Sequence, residues 1–174
     1  MNYPCERLAA QATIDTPMGP MLIAATERGL AGLWFEDQRH HPDVIDARVD
    51  AGQRWIALTA RQLSEYFEGR RERFEIPLDA AGTEFQQAVW HALSALPFAA
   101  TTSYGAIAQT IGKPAAVRAV GAAVGRNPIG IIVPCHRVLG RDGSLTGYAG
   151  GLDRKTALLA HEARHSPTAL ERAA

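Results

Sequence analysis

A change of hydrophobic period near residue 80 constrains this chain more than any other feature. Before it, residues 12–36 alternate apolar β-formers with turn residues: Ile14, Met21-Leu22-Ile23 and Leu33-Trp34-Phe35 are punctuated by Pro17-Met18-Gly19 and Arg28-Gly29. That pattern predicts a three-stranded meander. After it, apolar residues recur every three or four positions, which predicts helices. The stretch Asp79-Ala80-Ala81-Gly82 separates the two regimes as a linker. The 174 residues therefore divide into an α/β N-terminal domain over 1–81 and a mostly helical domain over 82–174, with a frayed tail from about 166.

The charges divide at the same place. Net charge is zero, but residues 1–81 carry nine Arg against thirteen Asp plus Glu, net −4, and residues 82–174 carry nine Lys plus Arg against five acids, net +4. A partner bearing phosphates is drawn to the second half. With 47% hydrophobic and 21% charged residues the chain can bury a core, which excludes fibrous and largely disordered classes. The two cysteines, Cys5 and Cys135, form no CxxC, and the histidines form no HExxH, so neither a disulfide framework nor a metal site is expected. Cys5 is read as a free terminal thiol. No cofactor is expected. Met1 to Arg7 lead into no signal-length apolar block, and the uncharged stretch Trp90 to Gly112 is broken by polar residues, Pro and Gly. The expectation is a cytoplasmic protein without a membrane span.

In the first half, Ile56, Thr59, Leu63 and Phe67 recur at helical spacing between Arg54 and Glu68, with Trp55 and Tyr66 beside them and Gly69 as a stop. A short strand over 74–78 follows. In the second half, Thr83 and Gln86 make a capping box ahead of the stripe Phe85, Val89, Leu93 and Leu96, which Pro97 ends. Ser103 caps a second helix carrying Ile107, Ala108 and Ile111, and Pro114 opens a third with Val117, Val120, Gly121 and Val124 facing inward. Joined through Gly112-Lys113, these two helices form a helix-turn-helix. The outer face of the third, Ala115, Arg118, Ala122 and Gly125, is nearly bare. It permits close approach to DNA with little base reading, although spacing alone fits a buried Ala/Val helix equally well. Beyond it, Ile131-Ile132-Val133 reads as a buried extended segment, Arg141-Asp142-Gly143-Ser144 as a turn, Gly147 to Gly151 as a glycine-rich loop and Asp153 to Ala163 as a final helix.

Pro134-Cys135-His136-Arg137-Val138 carries the chemistry. A thiolate is a strong nucleophile, and the neighbouring imidazole can take its proton directly or through a water. The bland alternative is a buried structural cysteine with a chance histidine neighbour. On the final helix Lys155, Leu158, Leu159 and Glu162 share a face, which lets Glu162 point inward and orient His136; otherwise it is a solvated helix charge. Asn127 reads equally as a helix-ending residue and Tyr148 as a loop aromatic.

The run Asn127-Pro128 … Ile132-Val133-Pro134-Cys135-His136-Arg137-Val138, with Gly147-Tyr148-Ala149-Gly150-Gly151 and Leu158-Leu159-Ala160-His161-Glu162, resembles the signature of the O6-alkylguanine-DNA alkyltransferases. The likeness extends back through Ser103-Tyr104-Gly105 and Arg118-Ala119-Val120-Gly121, covering residues 83–162; the first half resembles the family only in length and element order. The resemblance implies a ribonuclease-H-like N-terminal domain, a small antiparallel sheet plus helix, followed by a winged helix-turn-helix domain. It implies a single-turnover repair protein that flips O6-alkylguanine from double-stranded DNA and takes the alkyl group onto Cys135. By the same likeness His136 is the base acting through a water, Glu162 polarises it, and Asn127 braces the segment leading to the nucleophile. Arg118 fills the space of the flipped base, Tyr104 contacts the guanine and its phosphate, and the Cys135 and Val138 carbonyls accept from the exocyclic amine. Tyr148, Ala149 and Lys155 line the pocket, while Gly105, Lys113 and Arg141 join Tyr104 and Arg118 against DNA. Some members carry Ser where this chain has Ala149, so one side-chain donor to the guanine oxygen is missing here. A monomer in solution is expected, with assembly on DNA left open.

Two other classes fit the residues less well. A non-catalytic winged-helix alkylation sensor or damaged-DNA-binding module would leave Cys135 without a transfer role. A cysteine hydrolase with a Cys135, His136, Glu162 triad would need direct contact between chain neighbours, which favours a water relay instead.

Overall fold

The computed structural model describes residues 7–42 and 44–166; Cys5 and the tail beyond Ser166 lie outside them. One compact unit takes the chain up to Ala81 together with Pro128–Gly130, and the other takes Gly82–Asn127 and continues from Ile131. No helix of the described residues is long and apolar enough to cross a membrane.

The first unit is built on the expected meander. Strands β1 (Ala10–Ile14), β2 (Met21–Ala25) and β3 (Leu30–Phe35) pair antiparallel in that order, with Ala12 opposite Ile23 and Ile23 opposite Leu33. Helix α1 (Arg54–Phe67) packs on the sheet and buries Ile56, Thr59, Gln62, Leu63 and Tyr66. Tyr66 rather than Phe67 completes the stripe, because the 59, 63, 66 spacing keeps one helical face while Phe67 drifts to its margin. On the opposite face of the sheet Ala24 and Trp34 cluster with Ile45. Both faces of β3 are thus covered, which explains its unbroken apolar sequence.

The sheet edges are closed by single bridges rather than full strands: Gln11 to Val49, Leu30 to Leu78 and Leu33 to Ile129. The expected strand over 74–78 is one of these. Leu30 N donates to Pro77 O at 2.8 Å and Asp79 N to Leu30 O at 2.7 Å, but Pro77 has no N–H with which to extend a ladder. Pro128–Gly130 joins the unit through Leu33, whose N–H donates to Pro128 O at 2.8 Å and whose carbonyl accepts from Gly130 N at 2.9 Å.

In the second unit Thr83 and Gln86 form the capping box of α2 (Glu84–Ser94), which buries Val89, Trp90, Ala92 and Leu93. Trp90 Nε1 donates to Ala123 O at 2.9 Å and so ties α2 to α4 (Val117–Gly125). Ser103 caps α3 (Tyr104–Thr110) as expected. Pro114, however, opens a 3-10 turn, Pro114–Ala116, and α4 begins only after it. Three residues at the tighter pitch rotate the start of the helix, so Val117 is 40% exposed and Ala123 joins Val120 and Val124 inside. A two-stranded parallel pair, β4 (Thr102–Ser103) with β5 (Val138–Leu139), lies between α3 and the long C-terminal helix α5 (Leu152–His165).

The segment Ile131-Ile132-Val133 is buried or half-buried but forms a turn, not an extended run. Ile131 sits at φ 65, a left-handed conformation uncommon for a β-branched residue. The side chain of Asn127 accounts for the turn by donating to Val133 O at 2.8 Å, a nonlocal bond that propensity does not encode.

Gly32 is the tightest point of the sheet: a Cβ there would stand 1.7 Å from Trp34 Cη2. Gly32→Ala forces the indole out of its seat and is expected to destabilise the protein by about 1–3 kcal/mol, read as a lower urea midpoint. An unchanged midpoint would show that the ring moves without cost.

Candidate active site

The site is organised by a 3-10 turn, Cys135–Arg137, whose three side chains are all buried. Pro134 precedes it and accepts from Arg137 N at 3.0 Å, and Val138 then enters the parallel pairing with Thr102. Because Ser103 in that pair is also the cap of α3, Tyr104 is fixed by backbone bonds relative to Cys135.

Asn127 Nδ2 lies 3.2 Å from Cys135 Sγ while bonding Val133 O, so one amide shapes the turn and points a donor at the sulfur. Burial pushes the Cys135 thiol up from its ordinary range, opposed by the Asn127 bond and the charge of Lys155. A thiol held this way rests protonated and needs a base.

The next residue in the turn, His136, brings a buried imidazole. His136 Nε2 lies 2.8 Å from Glu162 Oε1, both side chains being fully buried. Glu162 also accepts from Arg137 Nε at 2.9 Å, Arg137 Nη2 at 2.9 Å and Ala99 N at 3.1 Å. Burial alone would raise the carboxyl pKa, but the bonds and charges of His136 and Arg137 hold it at about 2. An ionised carboxylate can only accept, so Nε2 carries the hydrogen and Nδ1 is left with its lone pair. Nδ1 is buried without a hydrogen-bond partner. Burial lowers the His136 pKa despite Glu162, and the charges of Arg137 and Lys155 lower it further, so the ring is a neutral acceptor.

Around this cluster, Lys155 is buried with its ammonium donating to Val138 O at 2.6 Å and Thr146 O at 2.7 Å. The expected acceptor Val138 O is therefore already engaged by Lys155. Tyr104 Oη donates to Thr146 O at 3.2 Å, and burial raises its pKa, so it remains a donor. The Tyr148 hydroxyl is pushed well up by burial. Ala149 is half-buried in the loop before α5, whose N-cap Gly151 sits at φ 90. Hydrogen bonds thus join Asn127 to Cys135, His136 to Glu162 and Lys155 to Val138, and the Cys135–Arg137 turn makes the first two pairs neighbours in the chain. Lys113, Arg118 and Arg141 are exposed, and Gly105 is half-buried at the start of α3; these four stand outside the buried network.

Arg137 is the residue that sequence reasoning missed. Besides its fork on Glu162, its Nη1 donates to Leu96 O and Pro97 O, both at 2.9 Å, and its guanidinium lies 5.7 Å from the Phe98 ring centroid. The signal that could have found it was its place between two buried residues, where a solvated arginine does not fit.

Fold and site define a two-domain protein with a helix-turn-helix and a buried cysteine next in the chain to a buried histidine. Residues 10–80 match the family described as 6-O-methylguanine DNA methyltransferase, ribonuclease-like domain, and residues 84–164 match its DNA binding domain. A methylated-DNA–protein-cysteine methyltransferase of Mycolicibacterium paratuberculosis is 49% identical over 158 residues, 91% of this chain and 94% of the relative. One from Methanosarcina acetivorans is 47% identical over 85% of this chain and 94% of its own length. The crystal structure of Mycobacterium tuberculosis OGT in complex with DNA superposes with a TM-score of 0.84 at 45% identity, covering 93% of this chain and 98% of that one. The chain belongs to the 6-O-methylguanine DNA methyltransferase family.

The depressed Glu162 pKa links the site to acid stability. Its ionised form contributes stability that is fully present above the ordinary value of 4.5 and is lost as pH falls toward about 2. Urea midpoints of the wild type are expected to decline through that window, and those of Glu162→Gln to decline less. Near neutrality the variant should be less stable by roughly 3 kcal/mol, because Arg137 is left as a buried unpaired charge. Parallel midpoint curves would exclude this linkage.

Proposed function

We propose that the protein repairs duplex DNA by taking the alkyl group of O6-alkylguanine onto Cys135, once per molecule. The observation that carries the reading is the buried thiol of Cys135 followed in the chain by a buried His136 whose Nε2 is held by Glu162 and whose Nδ1 has no hydrogen-bond partner. His136 Nδ1 takes the thiol proton through a water, and the thiolate attacks the alkyl carbon in line. A sulfur–carbon bond forms, the carbon–oxygen bond breaks, and its electron pair stays on the guanine oxygen. The proton then passes to the departing base. That base needs donors as charge develops, and Tyr104 Oη and the backbone N–H of Ala149 are the groups that would supply them. No side chain of the network can hydrolyse the resulting thioether, which accounts for a single turnover.

The remaining roles are those that the resemblance to the family implies. Asn127 donates to the developing thiolate, and the Cys135 and Val138 carbonyls accept the exocyclic amine. Tyr148 and Lys155 wall the pocket. Arg118, exposed on the bare face of α4, fills the gap left by the flipped base, while Gly105, Lys113 and Arg141 meet the phosphates. Action as a cytoplasmic monomer belongs to the same proposal. Relatives named as methyltransferases favour transfer over a non-catalytic sensor.

Mass spectrometry after incubation with equimolar duplex bearing one O6-methylguanine is expected to show one methyl group on the Cys135 peptide, with no turnover and none in Cys135→Ser. An unmodified Cys135 on a protein that still binds the duplex would replace this reading with a sensor. Arg118→Ala should slow transfer from duplex about tenfold while sparing single-stranded substrate, since its task is part of the few kcal/mol of flipping. Equal duplex rates for variant and wild type would remove Arg118 from that role.

A further inference from the structure

Arg137 is buried and charged, yet it takes no part in the transfer of alkyl group or proton. Its surroundings give it a specific task. Glu162 offers its carboxylate to His136 Nε2, Arg137 Nε, Arg137 Nη2 and Ala99 N, so Arg137 supplies half of these four bonds and the only permanent cation among them. We infer that Arg137 is a positioning residue for alkyl transfer: by neutralising and orienting Glu162 it keeps His136 an uncharged Nε2–H imidazole, the form able to accept a proton at Nδ1. This rests on the alkyl-transfer reading of Cys135.

The physical basis is competition for a single buried anion. Facing Glu162 alone, His136 would gain most by becoming an imidazolium, because the pair would then be neutral in a site of low dielectric. A guanidinium does not give up its proton, so Arg137 occupies the cation's place permanently. A proton added to His136 at rest would then leave the site with an extra positive charge. The other groups facing the ring reinforce this: α5 contributes the Lys155 ammonium as well as Glu162, and the turn itself contributes only Cys135 and Arg137. The segment over 96–99 adds two carbonyls and an N–H, all directed at Arg137 or Glu162, and the Phe98 ring. The carbonyls of Leu96 and Pro97 fix the fork in the plane in which it meets both carboxylate oxygens. Arg137 thus sets both the direction of the Nε2–H bond and the resting proton state of the opposite nitrogen.

Single-turnover transfer from methylated duplex, followed across pH, tests the inference. In Arg137→Gln the acid limb should move up by about one pH unit, so the rate near pH 6 falls about tenfold while the rate near pH 9 stays within about threefold of wild type. Arg137→Lys keeps the charge and should keep the wild-type limb even where its rate is lower at every pH. A limb that stays in place in Arg137→Gln, with a uniform loss of rate, would reduce Arg137 to a scaffold. Nitrogen NMR of His136 in the wild type supplies a readout that depends neither on folding of the variants nor on transfer. A neutral Nε2–H ring near pH 7 is expected, and an imidazolium or an Nδ1–H tautomer there would overturn the inference. Failure of the alkyl-transfer reading would show separately, as a wild-type Cys135 that takes up no methyl group.

Discussion

The buried carboxylate of Glu162 is the interaction on which the second unit depends. It gathers a side chain from the Cys135–Arg137 turn twice over, through His136 and Arg137, and a backbone N–H from Ala99 at the end of the turn that follows α2. Two stretches of chain far apart in sequence are therefore fixed to α5 by one group. An ionised carboxylate in that position is costly unless every lone pair is met, and here each is. The same completeness assigns the hydrogens: with only acceptors on Glu162, the histidine tautomer is settled without appeal to its other side.

Cys135 is held from the opposite direction. Asn127 follows α4 and uses one amide nitrogen on Val133 O and on the sulfur of Cys135. Between them the chain makes an excursion, Pro128–Gly130, that pairs with Leu33, and returns through Ile131 in a left-handed conformation. A strained β-branched residue persists only where its surroundings over-determine it, and such positions concentrate beside functional groups. The parallel pairing of Thr102-Ser103 with Val138-Leu139 then passes the placement of Cys135 on to the cap of α3. Cys135 and the helix-turn-helix are thereby set by backbone bonds, which hold position more tightly than exposed side chains do.

Much of this was legible in the sequence because it rests on local rules. The meander, the Thr83–Gln86 box and the Ser103 cap are encoded within a few residues of where they act. The adjacency of Cys135 and His136 and the inward register of Glu162 on α5 were equally readable, since both follow from chain order and helical period. What escaped was nonlocal. The 74–78 segment has strand-forming residues but only one partner position beside Pro77. The 131–133 turn is imposed by an amide several residues earlier, and the rotation of Val117 by the 3-10 turn that Pro114 starts. Arg137 was invisible as a site residue because an arginine is ordinarily solvated, and only the fold supplies a buried carboxylate for its fork.

Charge balance explains why a protonated, buried thiol suits alkyl transfer. Arg137 and Glu162 cancel, and His136 and Cys135 are neutral at rest. Lys155 remains as a buried ammonium whose bonds go to the carbonyls of Val138 and Thr146 rather than to a carboxylate. The resting site is therefore positive by one charge. In the proposed reaction, moving the thiol proton to His136 creates a thiolate and an imidazolium without changing that total, and Lys155 favours the thiolate of the two. Once the sulfur is alkylated and the proton has left with the guanine, the site returns to the charge it began with. The protein thus carries a standing positive field for an anion that exists only during attack, which is stabilisation of the transition state rather than of the resting enzyme.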